Sequence, residues 1–280
     1  MADRRLIRPF DIAALAAQYS RAEPFPFFVI EGFLEPSFAA EVAAAYPTFE
    51  TAKQMGFAFN AVNERRKVQV TDRALFPDAI GRLSDALASP EFLADLGAIT
   101  GIPKLVADER LFGGGIHVTG PHGRLDVHVD FNVLDGERKL YRRLNLLLYL
   151  NPDWNEDWGG QVEFWDRDVK TCVRRYVPSL NRGVVFETSD ISFHGVAPLT
   201  CPPSHVRRSF AAYYYTTEPA NAEAPAAHST IFRARPDERM REYVLMPAER
   251  LQRQVTDSLQ TAKRRVRRLI GRAIGRRYPS

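Results

Sequence analysis

The sequence predicts a mainly β fold, an antiparallel sandwich or jelly roll with flanking helices. Three observations carry this expectation. Short apolar segments of strand composition recur closely between about Lys104 and Thr217. Turn chemistry separates them, in Gly113-Gly-Gly, Gly120-Pro, Asn151-Pro-Asp, Gly159-Gly, Pro178-Ser, Asn181-Arg-Gly and Pro202-Pro. No helical period intervenes, which argues against parallel βαβ units.

Taken in order, Phe27-Phe-Val-Ile-Glu-Gly-Phe reads as a strand, and Pro36 opens a helix with Phe38, Val42 and Ala45 on one face. Helices are expected at 77–88 and 90–99, each with proline in the first turn, where its missing N–H costs little. The strands follow at 111–112, 116–119, 125–130, 144–150, 162–165, 173–177, 183–187 and 210–216. The expected organisation is helical support over 1–103, a β core over 104–217, a loop and short helix over 218–246, and a helical tail over 247–280.

With 45% hydrophobic and 26% charged residues, the chain has a globular balance. The basic start is followed by no signal-like apolar run, and no stretch approaches the roughly 20 residues that cross a bilayer. A soluble, cytoplasmic protein is expected. Cys172 and Cys201 are too few for a disulfide framework, and two free thiols are expected. Any metal must therefore be held by histidine and carboxylate. The tail collects ten Lys/Arg against Glu249 and Asp257, leaving the rest of the chain net acidic. Its helical apolar spacing suits docking on its own domain, an anionic surface or a membrane, and its lack of aromatics gives no strong nucleic-acid signal. Oligomeric state is not legible.

The chemistry begins with Leu125-Asp-Val-His-Val-Asp, which places His128 and Asp130 at i and i+2, on one face of a strand. A third ligand must come from elsewhere. His194, in Ser192-Phe-His-Gly, is the favoured candidate over His117, His122, His205 and His228. Two imidazoles and one carboxylate on one face of an octahedral ion leave three positions open, the arrangement of Fe(II) oxygenases. Thirteen residues beyond His194, Arg207-Arg-Ser opens a strand on which Arg207 and Ser209 share a face. A planar guanidinium there suits the far carboxylate of a dicarboxylate, with Arg208 as the competitor should the register differ by one.

His128-x-Asp130, His194 and Arg207-x-Ser209, in this order, resemble the 2-oxoglutarate/Fe(II)-dependent dioxygenase superfamily, its prolyl-4-hydroxylase-like subgroup above all. Leu144-Asn-Leu-Leu-Leu-Tyr-Leu-Asn-Pro-Asp-Trp and Trp158-Gly-Gly-Gln-Val-Glu-Phe-Trp-Asp add to the likeness, which is best over 114–217. The resemblance implies a double-stranded β-helix with Fe(II) held by His128, Asp130 and His194, and 2-oxoglutarate as cosubstrate. It implies that Arg207 binds the C5 carboxylate with help from Ser209 or Tyr149, that His117 is a further candidate contact, and that ascorbate is a candidate companion. It also implies O2-dependent hydroxylation of a prolyl, amino-acid or small-metabolite C–H, giving succinate and CO2, with Asp130 arguing against halogenation. The rival class is a cupin-like metal isomerase or a carbohydrate-binding jelly roll. The charged stretch 131–143 is a candidate lid. Trp154 and Trp158 are candidate pocket residues, and Trp165 is expected in the core.

Overall fold

The computed structural model describes residues 6–134, 139–220, 226–238 and 245–246. The chain divides into two units, 1–233 and 234–280. The basic tail and most of the helix expected at 236–245 lie outside the described residues.

Among the described residues the first unit contains five α-helices: α1 (Ile12–Arg21), α2 (Pro36–Ala45), α3 (Phe49–Met55), α4 (Asp78–Leu87) and α5 (Pro90–Thr100). Local chemistry fixes their ends. Asp11, Thr48 and Ser89 accept hydrogen bonds from the N–H groups of Ala14, Thr51 and Phe92, satisfying donors that a helix start leaves orphaned. Gly101, at φ +72°, ends α5 in the left-handed region. No helix among the described residues is long and apolar enough to cross a membrane.

Thirteen strands of the same unit form one antiparallel sheet system. They are β1 (Phe27–Glu31), β2 (Phe57–Asn60), β3 (Glu64–Val70), β4 (Val106–Ala107), β5 (Gly115–Val129), β6 (Val133–Leu134) and β7 (Leu140–Tyr149). The rest are β8 (Val162–Trp165), β9 (Cys172–Tyr176), β10 (Arg182–Glu187), β11 (His194–Val196), β12 (Arg207–Thr216) and β13 (Ile231–Arg233). Hydrogen bonding orders them β1-β10-β7-β12-β5-β11-β8-β9, the non-sequential antiparallel order of a jelly roll. β5 belongs to both halves. Its first part pairs with β12 and β3, and its last part pairs with β11 and β13. A strand shared in this way folds the sheet over on itself and encloses an interior between the two halves.

Alternation then divides the residues. Leu144, Leu146, Leu148, Phe210, Ala212 and Tyr214 point outward and form the main core with Val42, Ile80, Leu83 and Leu96 of the helices. Each such leucine removed from water contributes roughly 1.5–3 kcal/mol. The opposite faces of β7 and β12 look inward. Phe27, Phe164, Val184 and Phe186 plug one part of that interior, and polar side chains line another.

The structure departs from the sequence expectations at several points. The strands expected at 116–119 and 125–130 are one continuous strand, because Gly120-Pro is absorbed into β5, which carries a positive φ at His122 instead of a turn. Leu111-Phe112 is a turn, with Leu111 itself at positive φ. The hairpin β2–β3 and the helices α1 and α3 are additions. Part of the candidate lid is strand, since β7 begins at Leu140 and buries Arg142.

Candidate metal centre

His128 lies near the end of β5 between Val127 and Val129, which pack with Trp165 and Phe193. Period-two alternation turns the imidazole to the other face, toward the interior, with Asp130 just beyond the strand end. His194 opens β11 directly across the ladder from His128. The two rings lie 4.3 Å apart between centroids. Asp130 faces both, with Oδ1 3.6 Å from His128 Nε2 and Oδ2 3.4 Å from His194 Nε2. One ligand atom from each residue falls within 4.8 Å of the others, a spacing one ion can span.

The protonation pattern suits a metal. His128 Nδ1 lies 2.9 Å from the Asp126 carbonyl, and His194 Nδ1 lies 2.9 Å from the Ser192 carbonyl. A carbonyl only accepts, so each Nδ1 donates to its carbonyl and each Nε2 is left to face Asp130. Burial pushes His194 down to about 3, and the adjacent His128 adds to the effect, so the imidazole is neutral. Burial alone would raise the Asp130 carboxyl, but Arg142, then His194 and His128, outweigh it and hold the group well below the usual carboxylate range. A carboxylate and a neutral imidazole are protonation states that bind a divalent ion.

Two neighbours of the triad give no signal of that role in the sequence. Asn145 donates Nδ2 to Asp130 Oδ2 at 2.7 Å, and Arg142 approaches the same oxygen at 3.3 Å. A β-bulge brings them together. β12 pairs Tyr214 with Leu144 but Tyr215 with Arg142, so Arg143 is the extra residue and the parity of β7 reverses there.

Beyond the triad, Arg207 is buried and donates Nε to the Gly160 carbonyl at 2.7 Å and Nη1 to Ser209 Oγ at 3.2 Å. It makes no ion pair among the described residues, and burial lowers its pKa. Its guanidinium carbon sits 4.9 Å from the centre of the Tyr149 ring. The Tyr149 hydroxyl is fully buried and has no hydrogen-bond partner. Arg208 emerges on the other face and donates Nη1 to the Ala43 carbonyl at 3.3 Å. Gly160 explains the glycine pair in the sequence. At φ +75°, an added Cβ there would stand 3.1 Å from Arg207 Cδ and 3.3 Å from Trp154.

The cleft, about 170 Å³, is lined by the triad, Arg207 and Ser209, and also by Phe59 and Phe232. His117 lies opposite Ser209 and donates Nε2 to the Gly113 carbonyl at 3.1 Å. Burial, then Lys67, holds it well below its ordinary value and neutral. The other candidate third ligands lie elsewhere. His122 is exposed, His205 packs on Trp158, and His228 reaches Asp190 at 3.0 Å. Trp154 and Trp158 pack edge to face, and Trp165 is buried. Both cysteines are free.

Residues 114–215, which carry the triad, Arg207 and Ser209, match the family model described as the 2OG-Fe(II) oxygenase superfamily. This segment is similar to that superfamily. Mouse (Mus musculus) prolyl 3-hydroxylase OGFOD1 is 35% identical over 92 residues, or 30% of this chain. The match spans only 17% of that relative's length. A prolyl hydroxylase from Trichoplax adhaerens, solved with a hypoxia inducible factor oxygen degradation domain peptide fragment, superposes with a TM-score of 0.51 at 20% identity. The superposition covers 73% of this chain and 88% of that one, and shows a shared fold. A Pseudomonas putida prolyl-4-hydroxylase gives a TM-score of 0.49 at 18% identity, covering 72% and 98% of the two chains.

The superfamily uses Fe(II) and 2-oxoglutarate, and the residues present fit both. Three ligands on one side of an ion leave positions for a chelating 2-oxoacid. Arg207, a buried cation without a counter-ion among the described residues, and the Tyr149 hydroxyl beside it, which has no hydrogen-bond partner among them, offer donors to a second carboxylate.

Proposed function

We propose that this chain is an Fe(II)- and 2-oxoglutarate-dependent hydroxylase of an unactivated C–H bond, with a prolyl residue or a related amino-acid substrate favoured over other small metabolites. The single observation that carries the reading is the shared cleft. It holds a two-histidine, one-carboxylate set and, beyond it, a buried arginine with no anionic partner among the described residues. A metal isomerase needs the first feature, but it has no use for the second. The match to a prolyl 3-hydroxylase supports the prolyl choice.

Bound iron with its cosubstrate would supply the oxidising chemistry, yielding succinate and CO2. The chain's own residues supply placement. His128, Asp130 and His194 would hold the ion on one side, and the backbone-bonded Nδ1 atoms of the two histidines fix the ring planes. Arg207, Ser209 and Tyr149 would bind the distal carboxylate and set the cosubstrate's direction. Phe59 and Phe232 line the same cleft and would offer a substrate apolar contact.

The test is twofold. Anaerobic Fe(II) and 2-oxoglutarate should together produce a weak visible charge-transfer band, and aerobic turnover should release succinate. A panel of proline-containing peptides, free amino acids and metabolite pools then identifies what stimulates that release. Absence of both the band and succinate would return the chain to the isomerase or binding-module class.

A further inference from the structure

We infer that Arg142 and Asn145 are positioning residues that keep Asp130 a one-oxygen ligand, holding open the coordination positions that cosubstrate and O2 must share. The inference rests on the metal reading above and goes beyond it to residues outside the ligand set.

The contacts form a chain. Asp130 Oδ2 accepts from Asn145 Nδ2 at 2.7 Å, Arg142 Nε donates to Asn145 Oδ1 at 2.8 Å, and Arg142 Nη2 stands 3.3 Å from the same Asp130 oxygen as an ion pair without a hydrogen bond. Oδ1, which carries no such contact, faces His128 Nε2 at 3.6 Å, and Oδ2 lies 3.4 Å from His194 Nε2. Arg142 cannot drift from this arrangement. Its guanidinium carbon lies 3.6 Å from the centre of the Tyr213 ring and 4.6 Å from that of Phe131. Only 1% of its side chain is exposed, and Asp130 is its sole carboxylate partner among the described residues.

The chemical consequence follows from counting positions. A carboxylate binds a divalent ion through one oxygen or two. Two imidazoles and a one-oxygen carboxylate leave three of six octahedral positions, enough for a chelating 2-oxoacid and one further ligand. A two-oxygen carboxylate leaves only two, and the cosubstrate alone would fill them. An oxygen that already accepts an amide N–H and lies beside a buried guanidinium is engaged by both and withheld from the ion. Ordinary charge neutralisation would need Arg142 alone. Asn145, which carries no charge, makes the shorter contact to the same oxygen.

The test uses full-length protein with Co(II) as the spectroscopic probe and 2-oxoglutarate as the chelator, both without O2, on wild type, Arg142→Gln, Arg142→Lys and Asn145→Ala. Asn145→Ala leaves the charge unchanged and so separates denticity from electrostatics. Arg142→Gln and Asn145→Ala should bind Co(II) as tightly as wild type or more tightly, with an altered d–d spectrum. Their affinity for 2-oxoglutarate on the Co(II) protein should fall about tenfold or more, and Arg142→Lys should recover part of it. A merely structural role would lower metal affinity, cosubstrate affinity and melting temperature together, and that pattern overturns the inference. So does an unchanged spectrum with unchanged cosubstrate affinity in both variants, beside a responsive wild type. A wild type that binds Co(II) but ignores 2-oxoglutarate overturns the cosubstrate reading, and this inference with it.

Discussion

The Tyr149 ring carries the Arg207 guanidinium carbon 4.9 Å from its centre, while its hydroxyl is buried with no hydrogen-bond partner. An unpaired buried hydroxyl costs about 1–3 kcal/mol. Tyr149→Phe should therefore leave the ligand-free protein as stable as wild type or more stable, yet weaken 2-oxoglutarate binding several-fold. Urea unfolding without ligand, set beside a cosubstrate titration, checks the opposing signs. Loss of stability together with unchanged affinity would make Tyr149 a packing residue only.

Arg207 should account for most of the cosubstrate affinity. A charge-assisted hydrogen bond is worth roughly 1.5–3 kcal/mol, so Arg207→Ala should raise the 2-oxoglutarate Kd by about tenfold to a hundredfold or more. Arg207→Lys should rescue little, because an ammonium lacks the guanidinium fork. Arg208→Ala is the control, since that side chain bonds the Ala43 carbonyl on the far face. If Arg208→Ala abolished binding while Arg207→Ala spared it, the pocket would be misassigned.

A divalent ion that binds only the folded chain should stabilise it by about 2.7 kcal/mol at a hundredfold excess over Kd. Mn(II) should thus raise the melting temperature, EDTA should reverse the rise, and His128→Ala should abolish it. Asp130→Ala should do more harm, lowering metal-free stability by about 3–5 kcal/mol because Arg142 stays buried unpaired. Equal melting temperatures for metal-free His128→Ala and Asp130→Ala would refute that asymmetry.

His194 predicts the acid response of the metal-free protein. Its ordinary value is 6.5, and burial beside His128 takes it down to about 3. Between those values the unfolded chain binds a proton that the native state refuses, so stability rises with pH across the window. Stability should fall as pH drops below about 6.5, with a slope approaching ~1.4 kcal/mol per unit, and this contribution ends near 3. Denaturant titrations at pH 7, 6 and 5 should show a shallower slope for His194→Gln. Parallel slopes would contradict the assignment.

The legible parts of the site are those that period-two alternation controls. His128 and Asp130 share a face, as do Arg207 and Ser209, and the ladder between β11 and β5 brings His194 alongside. Arg142 was hidden for a local reason. Counting back from Asn145 places it on the opposite face, and only the bulge at Arg143 reverses that. Nothing in Leu140-Tyr-Arg-Arg-Leu-Asn announces an extra residue. The hairpin β2–β3 was equally silent, because Glu64-Arg-Arg-Lys presents charges where alternation needs apolar residues. Gly120-Pro carried a turn signal, but the long-range pairings on both sides of it prevailed.

β13 has a bearing on solubility. It covers one flank of the strand that carries His128, pairing Phe232 with His128, while His194 takes the other flank. Without residues 231–233 that flank would become a bare row of amide donors and acceptors beside Val127 and Val129, an open template for another chain. A chain ended before Ile231 should therefore self-associate by edge pairing, its sedimentation growing with concentration, even with every metal ligand in place.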